Sequence, residues 1–353
     1  MDTTKLKLLI CFTGLAVILV QTGCGPAAQG PMVPRQSPLI PGMPGSNIYL
    51  INKNTGFSPA NGPYNFTQTV YITDTATLTV YPGTVLNFTP GSMLYVDGGI
   101  VLSGTAADPI RIQTLAAGQS WGGFIFGKDS SGGNLTATYI SDAFVQINGG
   151  SVSMDDCTIE NGVWIPEGKN VGITISNSAI SSFDGFAFSV KQSSFPANMP
   201  MPSIRIDNTV MNGMMDFALY GLSPSVASTA ISISSDQING GIFLHGGGDI
   251  TGFTFSISGN TITGSIGVAQ PISTNTIDPF ITSNNIINSN GYAVYGGGQL
   301  YNNYIAGNNG AGPGVVDTTQ GGLCDNTMDE NSAASPPQFY RVDCVVNART
   351  SPN

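Results

Sequence analysis

The chain has 353 residues, a charged fraction of 9% and a formal net charge of −10. Ordinary globular chains carry about 25% charged residues, so Ser, Thr, Asn and Gly must solvate this surface, and 46 glycines point to a chain rich in turns. Nothing resembling a basic stripe is present, which argues against binding a nucleic-acid backbone.

Residues 1–23 read as an export signal. Lys5 and Lys7 precede a 13-residue apolar run at 8–20, short for a membrane span. The run ends in Gln21, Thr22, Gly23 and Cys24. That ending resembles the lipobox of bacterial lipoproteins, and the resemblance implies that Cys24 is lipidated and becomes the first mature residue. It also implies a lipid-anchored protein of the bacterial cell envelope, at the outer membrane or cell surface. Gly23 follows the lipobox pattern, whereas Gln21 stands where Leu is usual. An ordinary cleaved signal and an uncleaved anchor are the alternatives. Removing the signal takes away Lys5, Lys7 and Asp2, leaving 9 basic and 20 acidic residues and a net charge of −11. Residues 24–46 form a Pro/Gly-rich tether, with six prolines between 25 and 46 and little that could pack.

The folded part is expected over 47–323. Short alternating pieces between 47 and 76, among them Tyr49 to Ile51 and Val70 to Ile72, suit an atypical first coil that caps a stack. From Thr77 the strands are three to five residues long and end at Gly, Pro or Asp, as turn chemistry requires. In the second half a pattern recurs: an alternating apolar strand, an Asn or Asp, an apolar residue, then a Gly-led second strand. The positions 156, 177, 208, 236, 260, 285 and 303 are separated by steps of 21, 31, 28, 24, 25 and 18 residues. Such steps, holding strands and no helical period, predict a solenoid that buries one core along its axis.

Pro82-Gly83-Thr84-Val85-Leu86, the stretch Gly104 to Ile110, and Trp121-Gly122-Gly123-Phe124-Ile125-Phe126 resemble the opening coils of right-handed parallel β-helix proteins, the pectin-lyase-like group. The resemblance covers roughly residues 68–320 and implies an all-β solenoid of about ten to eleven coils. It is specific for architecture and weak for activity, since that fold carries enzymes, adhesins and structural spikes. Residues 324–353 are left as a C-terminal cap or tail.

Inward side chains of stacked coils line up in columns, and the alternate residues face outward. Aligned on their leading turns, the triplets 163–165, 186–188, 217–219, 242–244, 266–268 and 292–294 superimpose, with the outer positions of each apolar and inward. This alignment throws Trp164, Tyr220, Phe243, His245 and Tyr295 onto one outward face, with the small residues Ala187, Ala218, Gly267 and Ala293 beside them. Aromatic faces next to small and polar residues suit the stacking of a neutral sugar chain. The alternative is that long loops such as 223–229 cover these rings. The Asn/Asp residues at 156, 177, 208, 260 and 285 are expected at one bend, where stacked amides bond between coils.

His245 is the only histidine, and a lone His cannot assemble a multi-histidine metal site. No metal and no cofactor are expected. Asp155-Asp156 is similar to the paired aspartates of polygalacturonases, but that family's Asn-Thr-Asp, Gly-His-Gly and Arg-Ile-Lys do not accompany it, so a turn is the better reading. The calcium carboxylates of pectate lyases are likewise missing beside Arg111 and Arg205. If the chain is an enzyme, Asp155, Asp156 and Glu160 are the candidate catalytic residues because they fall on one coil. Gly240-Gly241, Gly246 to Gly248 and Gly296 to Gly298 precede no helix, so they are tight bends rather than phosphate loops. Cys324 and Cys344 bracket a polar loop and could pair outside the cytoplasm, closing about 20 residues for roughly 3 kcal/mol; two free thiols are the alternative. Cys157 reads as a small buried thiol.

Taken with the solenoid pattern, the two resemblances imply a lipid-anchored surface β-helix that binds a polysaccharide or cell-surface partner or serves a structural role. A polysaccharide lyase or glycoside hydrolase, and a self-assembling spike or appendage component, are the alternatives. The oligomeric state is open.

Overall fold

The chain divides into two units, Met1–Ser46 and Asn47–Asn353. A computed structural model describes residues 48–166, 169–192, 203–222, 230–248, 254–269, 279–287, 293–295, 299–306, 316–317, 323–324 and 326–329. The signal, Cys24, the tether and Cys344 therefore lie outside the described residues, as does the side chain of Cys324.

The second unit is a parallel β-helix. Each coil lays down three short strands in turn, and each strand pairs in parallel with its counterpart in the next coil. Among the described residues the sheet in the middle of the coil order has twelve strands, from Thr55–Phe57 to Leu323–Cys324, which marks twelve stacked rungs. The first rung, Ile48–Ile51 with Thr55–Phe57 and Tyr64–Phe66, lies within the segment read as a capping coil and pairs in register with the second. The strands on either side of the twelve-stranded sheet belong to one 22-stranded sheet. They are joined because Ala179–Gln192 and Val210–Leu222 bend through both faces instead of breaking at a turn. The face that opens each rung, which carries Thr69–Ile72, Val163–Ile165 and Ile242–Gly248, is the first face. The twelve-stranded sheet is the second, and the face carrying Ile110–Thr114 and Thr261–Thr263 is the third.

Alternation decides what goes inside. In Ala230–Ser234 and Thr254–Ser258 the second and fourth residues are buried and the others are not. The inner residues form one continuous core, from Ile51 and Phe57 through Phe126, Phe188 and Phe217 to Leu300 and Ile305. Each fully buried side chain contributes about 1.5–3 kcal/mol before conformational entropy is subtracted. Strand-to-strand stacking at about 4.8 Å leaves little room at the bends. Gly264 has φ 149°, and a Cβ there would fall 1.8 Å from the carbonyl oxygen of Gly240 on the rung before.

The bend between the second and third faces holds two columns where sequence suggested one. The outer column is left-handed, with φ of 54° at Asp156, 51° at Asn177, 49° at Asn208, 61° at Ser235, 56° at Ser283 and 55° at Asn302. Asn and Asp tolerate that region better than most residues. The next residue along the chain points inward and forms a ladder, buried at Asp236, Asn260, Asn284 and Asn303 and ending at half-buried Asn326. Asn260 donates its backbone N–H to Asn284 Oδ1 at 3.0 Å, and its Nδ2 donates to Ile233 O at 3.0 Å. Asn284 and Asn303 repeat this one rung further on, with Asn303 and Asn326 as acceptors. Position 285, placed at this bend by the sequence spacing, instead starts the strand Asn285–Ile287 and is exposed. Cys157 occupies the ladder column three rungs before Asp236, with Sγ 3.4 Å from the carbonyls of Leu135 and Asp155. Burial pushes its thiol up to about 11.

Candidate carbohydrate-binding face

The outward residues of the first face are set by its register. Val163, Trp164 and Ile165 pair with Phe188, Ser189 and Val190, which pair with Met215, Asp216 and Phe217. These pair with Ile242, Phe243 and Leu244, then Ile266, Gly267 and Val268, and Val294 and Tyr295 close the series. Three of the expected triplets are therefore displaced. Residues 186–188 give way to 188–190, 217–219 to 215–217, and Val294 takes the first place of its triplet, beside Ile266, rather than the last place of 292–294. Against the next rung, a bulge between Phe186 and Phe188 leaves Ala187 as an extra residue, and Ala187 is buried in the core. Ala293 is likewise buried, so neither alanine flanks the outward face.

The corrected register puts Trp164, Ser189, Asp216, Phe243 and Gly267 in one outward column. His245 lies beside Ala218 in the neighbouring column. His245 Nε2 is 3.2 Å from Asp216 Oδ1, with the His side chain 38% exposed and the Asp 13%. An imidazole held through one nitrogen by a partly buried carboxylate has a fixed ring plane and leaves its other nitrogen for a ligand. Trp164 and Phe243 are half-buried. The Phe243 ring leans over Gly241, where a Cβ would fall 2.7 Å from Cε2. Tyr220 and Tyr295 are placed by backbone pairing with Gly247 and Gly267, and their side chains lie outside the described residues.

The same column extends toward the first rung through Gln146, Ile125, Tyr95 and Tyr71. Gln146 and Ile125 are buried despite facing outward, which separates the Trp164 region from a second aromatic pair. Tyr71 and Tyr95 lie on consecutive rungs with ring centroids 5.7 Å apart. The Tyr71 hydroxyl donates to Asp97 Oδ2 at 2.6 Å. Burial, then the Asp97 bond, hold that hydroxyl protonated well above the usual tyrosine range. Burial, then Asp97 and Asp129, push Tyr95 up to about 12.

Asp216, Tyr71 and Tyr95 escaped the sequence analysis. The signal for Asp216 was its charge inside an apolar run, Met214-Met215-Asp216-Phe217-Ala218-Leu219, where only an outward position tolerates a carboxylate. For the tyrosines it was their place between two inward residues, as in Val70-Tyr71-Ile72.

The three acidic residues named as catalytic candidates are dispersed around the bend and the third face. Asp155 Oδ1 accepts from Ser176 Oγ and Asn177 Nδ2, each at 2.8 Å, and so ties adjacent rungs. Asp156 is the left-handed turn residue. Glu160 accepts the hydroxyl of Tyr139, whose ring lies under Arg111 with Cζ 5.5 Å from its centroid. Arg205 pairs with Asp207 at 3.7 Å on an exposed strand. Among the described residues, no group of three or more His, Cys, Asp or Glu could hold a metal ion.

No family model and no curated protein matches the chain. Solved structures that resemble it include two polysaccharide-active proteins. An alginate lyase from Paenibacillus sp. strain FPU-7 is 14% identical with a TM-score of 0.30, the match covering 72% of this chain and 93% of that one. The A-module of mannuronan C-5 epimerase AlgE6 from Azotobacter vinelandii is 13% identical with a TM-score of 0.25, covering 83% and 92%.

Proposed function

We propose that this chain is a lipid-anchored bacterial envelope protein that binds carbohydrate on the first face of its β-helix. The observation that carries the reading is the outward cluster on rungs six to nine: Trp164, Ser189, the Asp216–His245 pair and Phe243. Aromatic rings supply apolar area to the faces of a sugar, while the imidazole and carboxylate exchange hydrogen bonds with its hydroxyls. A sheet that repeats every ~4.8 Å offers contacts at steps close to one pyranose unit, which suits a polymer over a single sugar.

The test is a glycan array with the mature chain, followed by Trp164→Ala, Phe243→Ala and His245→Ala. Loss of at least ten-fold in affinity for the Trp164→Ala and Phe243→Ala double variant, with unchanged melting, is the expected result. Binding that survives it removes this face. The anchor is tested by labelling with a palmitate analogue, which should vanish in Cys24→Ala.

The Asp216–His245 pair favours a second reading, a polysaccharide-cleaving enzyme, because a carboxylate-oriented imidazole is a competent general base. Release of reducing or unsaturated sugar that disappears in His245→Ala would establish it.

A further inference from the structure

The buried ladder at the second bend contains one member that does not match the others. In rungs nine, ten and eleven the ladder residue is Asn, and each Nδ2 donates both to a carbonyl of the preceding rung and to the Oδ1 of the next. In rung eight the residue is Asp236. Its Oδ1 accepts the N–H of Thr209 at 2.6 Å, and its own N–H donates to Asn260 Oδ1 at 2.8 Å, so it keeps the backbone half of the pattern. Its second oxygen stands in the place of an amide nitrogen. Asp236 is 2% exposed, and among the described residues no group hydrogen-bonds to Oδ2. An ionised carboxylate there would bring a charge into a site whose neighbours along the ladder use that atom as a donor. A proton on Oδ2 restores the donor.

We propose that Asp236 is carried as a neutral carboxylic acid in the folded chain, and that its ionisation is a built-in pH-sensitive seam between the amide-linked rungs nine to twelve and the rungs before them. The surroundings agree. Burial pushes this carboxyl up to about 7 against the lowering effect of the Thr209 and Ser234 backbone, and the charge of Asp207 adds to the rise. Asp207 and its partner Arg205 are the charged groups on the strand Ser203–Asp207 of rung seven. The rung-nine strands Thr254–Ser258 and Thr261–Thr263 contain no titratable residue. Because the folded value lies above the ordinary aspartate value of about 4, the stabilisation is complete below pH ~4 and is lost progressively as pH rises toward ~7.

The experiment compares wild type with Asp236→Asn, which supplies the amide that the other rungs use. Melting temperature is followed from pH 5 to pH 8. Wild type should lose several degrees over that range, Asp236→Asn should lose much less, and the variant should melt higher at pH 8. Parallel curves, or a variant less stable at every pH, would overturn the proposal. A second measurement needs no variant: the infrared carbonyl band of a protonated buried acid should be present in wild type at pH 5.5 and disappear with a midpoint near neutrality. A band that is absent at pH 5.5 overturns the proposal even if Asp236→Asn fails to fold.

Discussion

Trp164 lies directly beside Ser189 in the pairing of rungs six and seven, while Ala187, two residues earlier, is wholly buried. Ala187 therefore belongs to the core and Ser189 to the proposed binding face, although both have the parity of an outward residue when counted along the strand. Ala187→Asp buries an unpaired charge and should cost on the order of 4 kcal/mol or prevent folding. Ser189→Ala should change stability by less than about 1 kcal/mol. Denaturant titration of the two variants checks the register, and equal effects would show it to be misassigned.

Asn284 and Asn285 are neighbours with opposite roles. Asn284→Ala would leave the N–H and Nδ2 of Asn260 and the carbonyl of Ile257 without their ladder partner. Leaving buried polar groups unpaired costs about 1–3 kcal/mol each, so a loss of roughly 3 kcal/mol is expected. Asn285 is exposed, and Asn285→Ala should stay within about 0.5 kcal/mol. Thermal melts of both variants distinguish a buried ladder at 284 from a surface one at 285.

The Tyr139 hydroxyl is pushed up to about 12, first by its hydrogen bond to Glu160, then by burial and the Glu160 charge, with Arg111 acting in the opposite direction. Glu160→Gln removes the negative charge and should move the Tyr139 ionisation down toward the ordinary value of about 10. Ultraviolet titration at the phenolate band, compared with a Tyr139→Phe control, measures it. An unchanged midpoint would mean that Glu160 does not receive that proton.

Cys157 is 1% exposed and its thiol is raised to about 11, so the reactive thiolate is scarce at pH 8. Alkylation of the folded chain at that pH should leave Cys157 unmodified for hours, with rapid labelling in denaturant. Fast labelling under native conditions would show that the bend opens.

The architecture was legible because it rests on local rules. Period-two alternation names the inward residue of each strand, and Gly, Asn and Asp mark where each strand must stop; Ile257 and Ser256 need nothing more than that to be sorted. Trp164 and Phe243 were found in the same way, as residues flanked by two inward neighbours. The partner of His245 was not, because Asp216 belongs to another rung, and alternation within a strand does not say which residues of different rungs meet.

Sequence by itself determined a stacked all-β chain with an apolar interior and a nearly uncharged exterior, since side-chain parity and turn chemistry are properties of short segments. Only the tertiary structure decided which residues become neighbours across rungs. A two-residue slip keeps every side chain on its own side of the sheet, and a one-residue bulge at Ala187 is absorbed within a single strand. Neither leaves a mark on the local pattern, and it is the register between rungs that places Ser189 beside Trp164 and brings Asp216 to His245.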